Sequence, residues 1–293
     1  MAVYDLNGKV ALVTGSARGI GYEAARQMHL RGASVAIVDL DAEQAREAAE
    51  RIGERAIGIG ADVTDSGAMM AAVAETVERF GGLDVVVANA GVAPPTVTTM
   101  RTVPSEEWER VVEVNLLGVW HTVRAALPQV SERRGQVILI GSIYSFANGL
   151  LASPYAVSKA AVEALGRALR AELAPFGASA GVVYFGWVDT ELVRGSLDRQ
   201  EGGSKLQDTV PSFLLKRISP EAAGAALVRG VEERAPRTFA PRWWRYVSAL
   251  RGLLNPLLDR RMERDAKVAA AVRDAEGNSG GQGAAAVDTT APR

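Results

Sequence analysis

Thr14-Gly15-Ser16-Ala17-Arg18-Gly19-Ile20-Gly21 follows a short apolar run, Val10–Thr14, and opens a helical pattern. Glycines at such a turn let the backbone approach a pyrophosphate, and the helix N-terminus offers free N–H donors and the positive end of its dipole. A glycine cluster alone is common; its place between the first strand and first helix of a βαβ unit makes it a dinucleotide turn. Working outward, Ser34–Asp39, Ala56–Gly60, Val85–Asn89, Gln136–Ile140 and Ser179–Tyr184 read as strands. They are almost continuously apolar, as strands buried on both faces must be. Helical patterns alternate with them: Gly19–Arg31, Asp41–Ile52, Ser66–Phe80, Ser105–Leu127 and Tyr155–Leu173. The alternation predicts an α/β fold with a doubly wound, Rossmann-type parallel sheet.

A last helix, Pro220–Glu232, leads to a short strand at Thr238–Ala240 and closes a single catalytic domain over 1–241. Within it, Gly195–Val210 is polar and aperiodic, and 191–213 reads as a substrate loop. Residues 242–275 form an amphipathic helical extension, and 276–293, biased to Gly, Ser, Ala and Thr, read as a disordered tail.

The 293 residues carry a net charge of −1, so no global field calls for nucleic acid or an anionic membrane. With no cysteine, disulfides, thiol catalysis and thiolate metal sites are excluded, which suits a cytoplasmic location. The first nine residues lack the apolar run of a signal peptide or membrane span. The two histidines, His29 and His121, sit inside helical patterns and read as structural; no metal is expected.

The second strand ends in Asp39, whose carboxylate can accept both adenosine ribose hydroxyls and repels a 2′-phosphate, favouring NAD over NADP. Arg18 argues weakly for NADP, since a guanidinium there can bind a phosphate. Asp62-Val63, after the third strand, can hold an adenine between a carboxylate and an apolar wall; Asp62 reads equally as a turn aspartate.

The spacing Thr-Gly-x-x-x-Gly-Ile-Gly resembles the short-chain dehydrogenase/reductase family, from about Lys9 to about Thr190. Asn89-Ala90-Gly91 is similar to that family's Asn-Ala-Gly motif, and Asn115 to its Asn-x-x-Gly element. Ser142, Tyr155 and Lys159 complete the set. After the sixth strand Gly186, Val188 and Thr190 match positions near the nicotinamide amide, but Phe185 replaces the usual proline, where its ring can alter the nicotinamide end or enter the substrate pocket. The resemblance implies that Lys159 also binds the nicotinamide ribose and that Asn115 helps hold a water in a proton relay.

Tyr155 and Lys159, four apart at a helix start, share one face. A free phenol titrates near ~10; a neighbouring ammonium should lower that value, as an acid/base shuttle requires. Ser142 can donate to the substrate oxygen, though a serine there also suits a turn. Phe146, Leu150, Leu151, Trp187 and Leu192 make an apolar substrate lining, and a hydrophobic alcohol or ketone, reasonable; buried loops carry the same residues. Partners expected are that small molecule and further copies of the chain, as a homodimer or homotetramer.

In the extension, Trp243, Val247, Leu250, Leu254, Leu257 and Leu258 recur at helical spacing, with Pro256 expected to kink the helix. This stripe is expected to pack over the active-site mouth or in a subunit interface; a basic amphipathic helix at a membrane surface is the less favoured reading. Competing functions are an NADPH-dependent 3-oxoacyl reductase, opposed by Asp39, and a non-catalytic nucleotide-binding protein, opposed by the intact Ser142, Tyr155 and Lys159.

Overall fold

A computed structural model describes residues 3–191 and 216–279. Seven parallel strands run in the order β3-β2-β1-β4-β5-β6-β7. They are β1 Val10–Thr14, β2 Ser34–Asp39, β3 Ala56–Gly60, β4 Val85–Ala88, β5 Gln136–Ser142, β6 Ser179–Phe185 and β7 Arg237–Ala240. Side chains alternate across the sheet. Val13, Ile37 and Val87 face one layer, α1 (Gly19–Leu30), α2 (Ala42–Ile52) and the helix Pro220–Glu232. Leu12, Val38, Val86 and Leu139 face the other, α3 (Ser66–Phe80), α5 (Gly118–Glu132) and α6 (Ser153–Leu173). Because both faces are covered, neither could carry polar residues, which explains the unbroken apolar runs. Leu12 and Leu139 are fully buried; truncating either to Ala costs about 2–5 kcal/mol.

The strand order reverses between β1 and β4. At such a switch point the loops leaving adjacent strand ends diverge and open a crevice. The glycine-rich turn leaves β1 there, and Asn89-Ala90-Gly91 leaves β4.

One expected helix is interrupted. Ser105–Leu127 resolves into α4 (Ser105–Val112), a π-helical turn at Glu113–Leu117 and α5, which continues to Glu132. A π-turn fits one more residue than an α-turn and re-aims its side chains, here Asn115.

After α7 (Pro220–Glu232) and β7, α8 spans Trp244–Arg264 and α9 spans Ala266–Ser279. The helix therefore runs four residues into the stretch read as tail, and 280–293 lie outside the described residues. The stripe expected to face inward does so only in part: Trp243 and Val247 pack against the cluster around Phe146 and Tyr184, and Leu254 is half-buried. Trp244 and Ser248 are buried, Arg251 pairs with Glu163, Asn255 donates to the Phe146 carbonyl (2.8 Å), and Asp259 accepts from Asn148 (2.9 Å). Leu250, Leu257 and Leu258 are exposed. The start of α8 is held by packing of Trp244 and Val247, and the rest by hydrogen bonds and one ion pair rather than by the exposed leucines.

Candidate active site

The turn after β1 is shaped by close approach. Gly15 and Gly19 have φ of +61° and +62°, values that side-chain-bearing residues rarely adopt. A Cβ on Gly21 would lie 2.5 Å from the Gly15 carbonyl oxygen. Arg18 caps α1 without a side-chain hydrogen bond, and the first turn, which includes Ile20, carries no acid. The resulting open, backbone-lined cradle with a positive helix end fits a dinucleotide pyrophosphate.

Neighbouring side chains hold this cradle. The Asn89 amide donates to the Thr14 and Gly15 carbonyls (2.8 and 2.9 Å). The Thr14 hydroxyl accepts from the Asn89 and Ala90 N–H groups (3.0 and 3.1 Å). Asn89 thus braces the turn, a role its motif did not reveal, and Thr14 was missed because its work is done across strands. Ala90 sits against Gly15, and Gly91 leaves room for Asn115: a Cβ there would lie 3.1 Å from the Asn115 amide oxygen.

Asp39 accepts from the Ala17 and Leu40 N–H groups, both at 2.9 Å. Each carboxylate oxygen keeps a lone pair for a ribose hydroxyl. Arg18 pairs with Glu191, both well exposed, instead of standing as a free cation. Asp62 accepts from the Thr64 N–H (2.9 Å) and hydroxyl (2.8 Å) through one oxygen, so the turn reading of this residue is present. The Thr64 N–H holds its carboxyl below the usual range, against a smaller opposing effect of burial. Val63, the expected adenine wall, is packed in the core against Gly118 with 8% of it exposed.

Ser142 ends β5, and Tyr155 and Lys159 lie on the first turns of α6. The Ser142 hydroxyl lies beside the Tyr155 phenol, near enough to lower its pKa, and accepts from the Tyr144 N–H (3.2 Å). The Lys159 ammonium is buried, donates to the Ile140 carbonyl (3.0 Å) and lies 5.6 Å from the Tyr155 ring centroid. Burial raises the Tyr155 phenol and the Ser142 hydroxyl lowers it. The expected lowering by Lys159 is not the controlling effect. Burial pulls the lysine itself down to about 8, because removing the ammonium from water disfavours its charged form.

Ser145 ties these parts together, accepting from the Ser142 N–H (3.2 Å) and donating to the Lys159 carbonyl (2.8 Å). Tyr144 stands edge-on to Tyr155 (centroids 5.8 Å) and to Trp187 (6.2 Å). Sequence alone offered no signal for either residue beyond proximity to Ser142.

Asn115 is fully buried. Its amide nitrogen donates to the Val92 carbonyl (2.9 Å) and the Ser158 hydroxyl (3.2 Å), and its oxygen accepts from the Val92 N–H (2.8 Å). Both amide hydrogens are spent on the protein, so the side chain pins the β4 loop to the π-turn rather than holding a water through its N–H groups.

At the end of β6, Phe185 is buried among core residues such as Val183, Val188 and Ala223. Gly186 lies under Trp244, where a Cβ would meet the indole nitrogen at 2.8 Å. Val188 is buried and bridges to Ile218. Thr190 reaches the glycine turn: a Cβ on Gly19 would lie 3.8 Å from its methyl. Of the expected apolar lining, Trp187 approaches the Tyr155 group through Tyr144. Phe146 packs with Tyr184 and Trp244, while Leu150 and Leu151 line a hollow of about 520 Å³ with Met100, Val157 and Val272. Leu192 and the rest of the 191–213 loop beyond Glu191 lie outside the described residues.

Comparison with known proteins places this geometry. The short chain dehydrogenase family model matches residues 9–201. A cyclohexanol dehydrogenase from Rhodococcus sp. (strain TK6) is 37% identical over 227 residues, spanning 70% of this chain and 83% of that protein. A 3-alpha-(or 20-beta)-hydroxysteroid dehydrogenase from Mycobacterium tuberculosis (strain ATCC 25618 / H37Rv) is 36% identical over 188 residues, spanning 64% and 72%. The crystal structure of a 3-ketoacyl-(acyl-carrier-protein) reductase from Brucella melitensis complexed with NADH superposes with a TM-score of 0.70 at 28% identity, covering 80% of this chain and 97% of that one. The chain belongs to the short-chain dehydrogenase family.

Proposed function

We propose that Tyr155 is the acid/base group of a dehydrogenase for a hydrophobic secondary alcohol and its ketone, with NAD as the preferred dinucleotide. As a member of its family the chain is an NAD(P)-dependent oxidoreductase of CH–OH donors. The observation that carries the reading is the grouping of Ser142, at the C-terminal end of β5, with the Tyr155 phenol whose pKa it lowers and with the buried Lys159 ammonium 5.6 Å from the Tyr155 ring. A bound nicotinamide supplies the hydride acceptor or donor. In oxidation the phenolate form of Tyr155 takes the proton of the alcohol hydroxyl while Ser142 donates a hydrogen bond to the same substrate oxygen. In reduction the Tyr155 phenol, kept protonated by burial, returns that proton to the developing alkoxide.

Lys159 supports the dinucleotide ribose and sets the polarity beneath Tyr155; Asn115 acts as a positioning residue. The turn residues Gly15, Gly19, Ile20 and Gly21, with Asn89, Ala90, Gly91 and Thr190, hold the dinucleotide. Asp39 selects NAD, helped by Glu191, which occupies the Arg18 guanidinium. The named substrates of relatives, cyclohexanol and hydroxysteroids, are alicyclic secondary alcohols, which supports a ring-bearing apolar substrate. Exposed Leu117, Trp120 and Val157 support a homo-oligomer.

The test is a panel of alicyclic and linear alcohols and ketones, with acyl thioesters included, assayed with both dinucleotides by nicotinamide absorbance. Preferential turnover of alicyclic substrates with NAD is expected. Turnover confined to 3-oxoacyl thioesters with NADPH would replace this reading with the reductase alternative.

A further inference from the structure

Helix α8 is packed with its polar side inward. Ser248, Arg251, Asn255 and Asp259, spaced three and four apart, meet the body through burial, an ion pair and hydrogen bonds. At 3.6 residues per turn the opposite face carries Tyr246, Leu250, Leu253 and Leu257. All four are exposed, Leu253 at 72% and Leu257 at 64%. Among the described residues nothing covers them.

Basic groups frame the same face. Arg242 and Arg245 stand at its start, and Arg260, Arg261 and Arg264 at its end, all exposed. Arg260, Arg261, Arg264 and Leu257, with Asp265 at one side, rim a hollow of about 440 Å³. Three guanidiniums around one hollow suit phosphate oxygens, which they bind in bidentate fashion. The whole chain has a net charge of −1, so the positive charge here is local and not part of a general field.

We propose that the outward face of α8 docks onto the surface of an anionic phospholipid bilayer. The leucines enter the boundary of the acyl region, and the arginines at either end engage headgroup phosphates. Among the described residues no helix is long and apolar enough to cross a membrane, so α8 lies along the surface. Charge selects this occupant over a second copy of the chain. A two-fold pairing of α8 with itself would set the arginine-bearing ends of the two helices against each other, where like charges repel. Asn255 and Asp259 bind the segment from Phe146 to Asn148, shortly after Ser142, so the docked helix is tied to the rim of the candidate active site.

The test is co-sedimentation of the full chain with phosphatidylglycerol vesicles and, separately, phosphatidylcholine vesicles, at low and high salt. Two variants, Leu253→Glu/Leu257→Glu and Arg260→Glu/Arg261→Glu, change only exposed groups, and circular dichroism melts confirm their folding. The proposal expects binding to phosphatidylglycerol that weakens at least tenfold in phosphatidylcholine, at high salt and in each variant. Absence of binding, equal binding to both lipids, or binding unchanged in both variants would overturn it. So would a vesicle-free sedimentation experiment in which Leu253→Glu/Leu257→Glu converts an oligomer to a monomer, since a second copy would then be the occupant.

Discussion

Arg251 of α8 holds Glu163 of α6 through both carboxylate oxygens, at 2.8 and 3.0 Å, one turn beyond Lys159 on the helix that carries Tyr155. Glu163 is buried, while about a third of Arg251 is exposed. Arg251→Ala strands a desolvated carboxylate and should cost about 2–3 kcal/mol, less than a fully buried pair because water reaches the arginine. The double variant Arg251→Met/Glu163→Leu removes both charges and should recover most of that loss. Urea midpoints of the three proteins decide it; a double variant no more stable than Arg251→Ala would show that packing, not charge burial, sets the cost.

Asn115 satisfies Val92 in both directions, so Asn115→Ala leaves a buried N–H and C=O unpaired. A loss of about 2 kcal/mol in stability is expected, with a lower kcat as the π-turn relaxes. If stability held and only kcat fell, the residue would act in proton transfer and not as a brace.

Lys159 carries a pH signature. Its folded value is about 8 against an ordinary 10.5. Between these values the unfolded chain binds a proton that the folded chain does not, so folding stability rises with pH across that window. Below pH 8 both states are protonated and the cost of burying the charge is borne in full. Relative to Lys159→Met, the native chain should gain on the order of 2–3 kcal/mol between about pH 7 and pH 10. Parallel stability profiles for the two proteins would mean that the lysine is well solvated when charged.

Asp39 separates charge from hydrogen bonding. Asp39→Asn keeps an acceptor for one of the Ala17 and Leu40 N–H groups but removes the repulsion of a 2′-phosphate. The ratio of kcat/KM for NAD over NADP should exceed one in the native chain and fall by about tenfold or more in the variant. A native preference for NADP would instead make Arg18 a phosphate ligand.

Much of this was legible from the residues because local rules and burial agreed. Strands covered on both faces leave unbroken apolar runs, and the turn from Thr14 to Gly21 needs its glycines at fixed places. What escaped depends on contacts distant in sequence. A π-turn at Asn115 keeps the apolar periodicity of an ordinary helix, so Ser105–Leu127 looked continuous. The stripe of α8 turns inward only at Trp243 and Val247; farther along, its inward side is set by Glu163, Phe146 and Asn148, each about a hundred residues away, and not by the apolar spacing. The spacing of Tyr155 and Lys159 pointed to a lowered phenol, but spacing carries no information on how deeply the phenol itself is buried, and that burial raises it.

The central claim is that Tyr155 transfers the proton, and Tyr155→Phe tests it most directly, because it keeps the ring and removes only the hydroxyl. With a substrate whose chemical step limits turnover, shown by a deuterium isotope effect on hydride transfer, kcat should fall by on the order of 10²-fold or more. Dinucleotide affinity, measured by fluorescence titration, should stay within about twofold, since Tyr155→Phe leaves the glycine cradle and Asp39 untouched. Near-native turnover in Tyr155→Phe under those conditions would contradict the assignment.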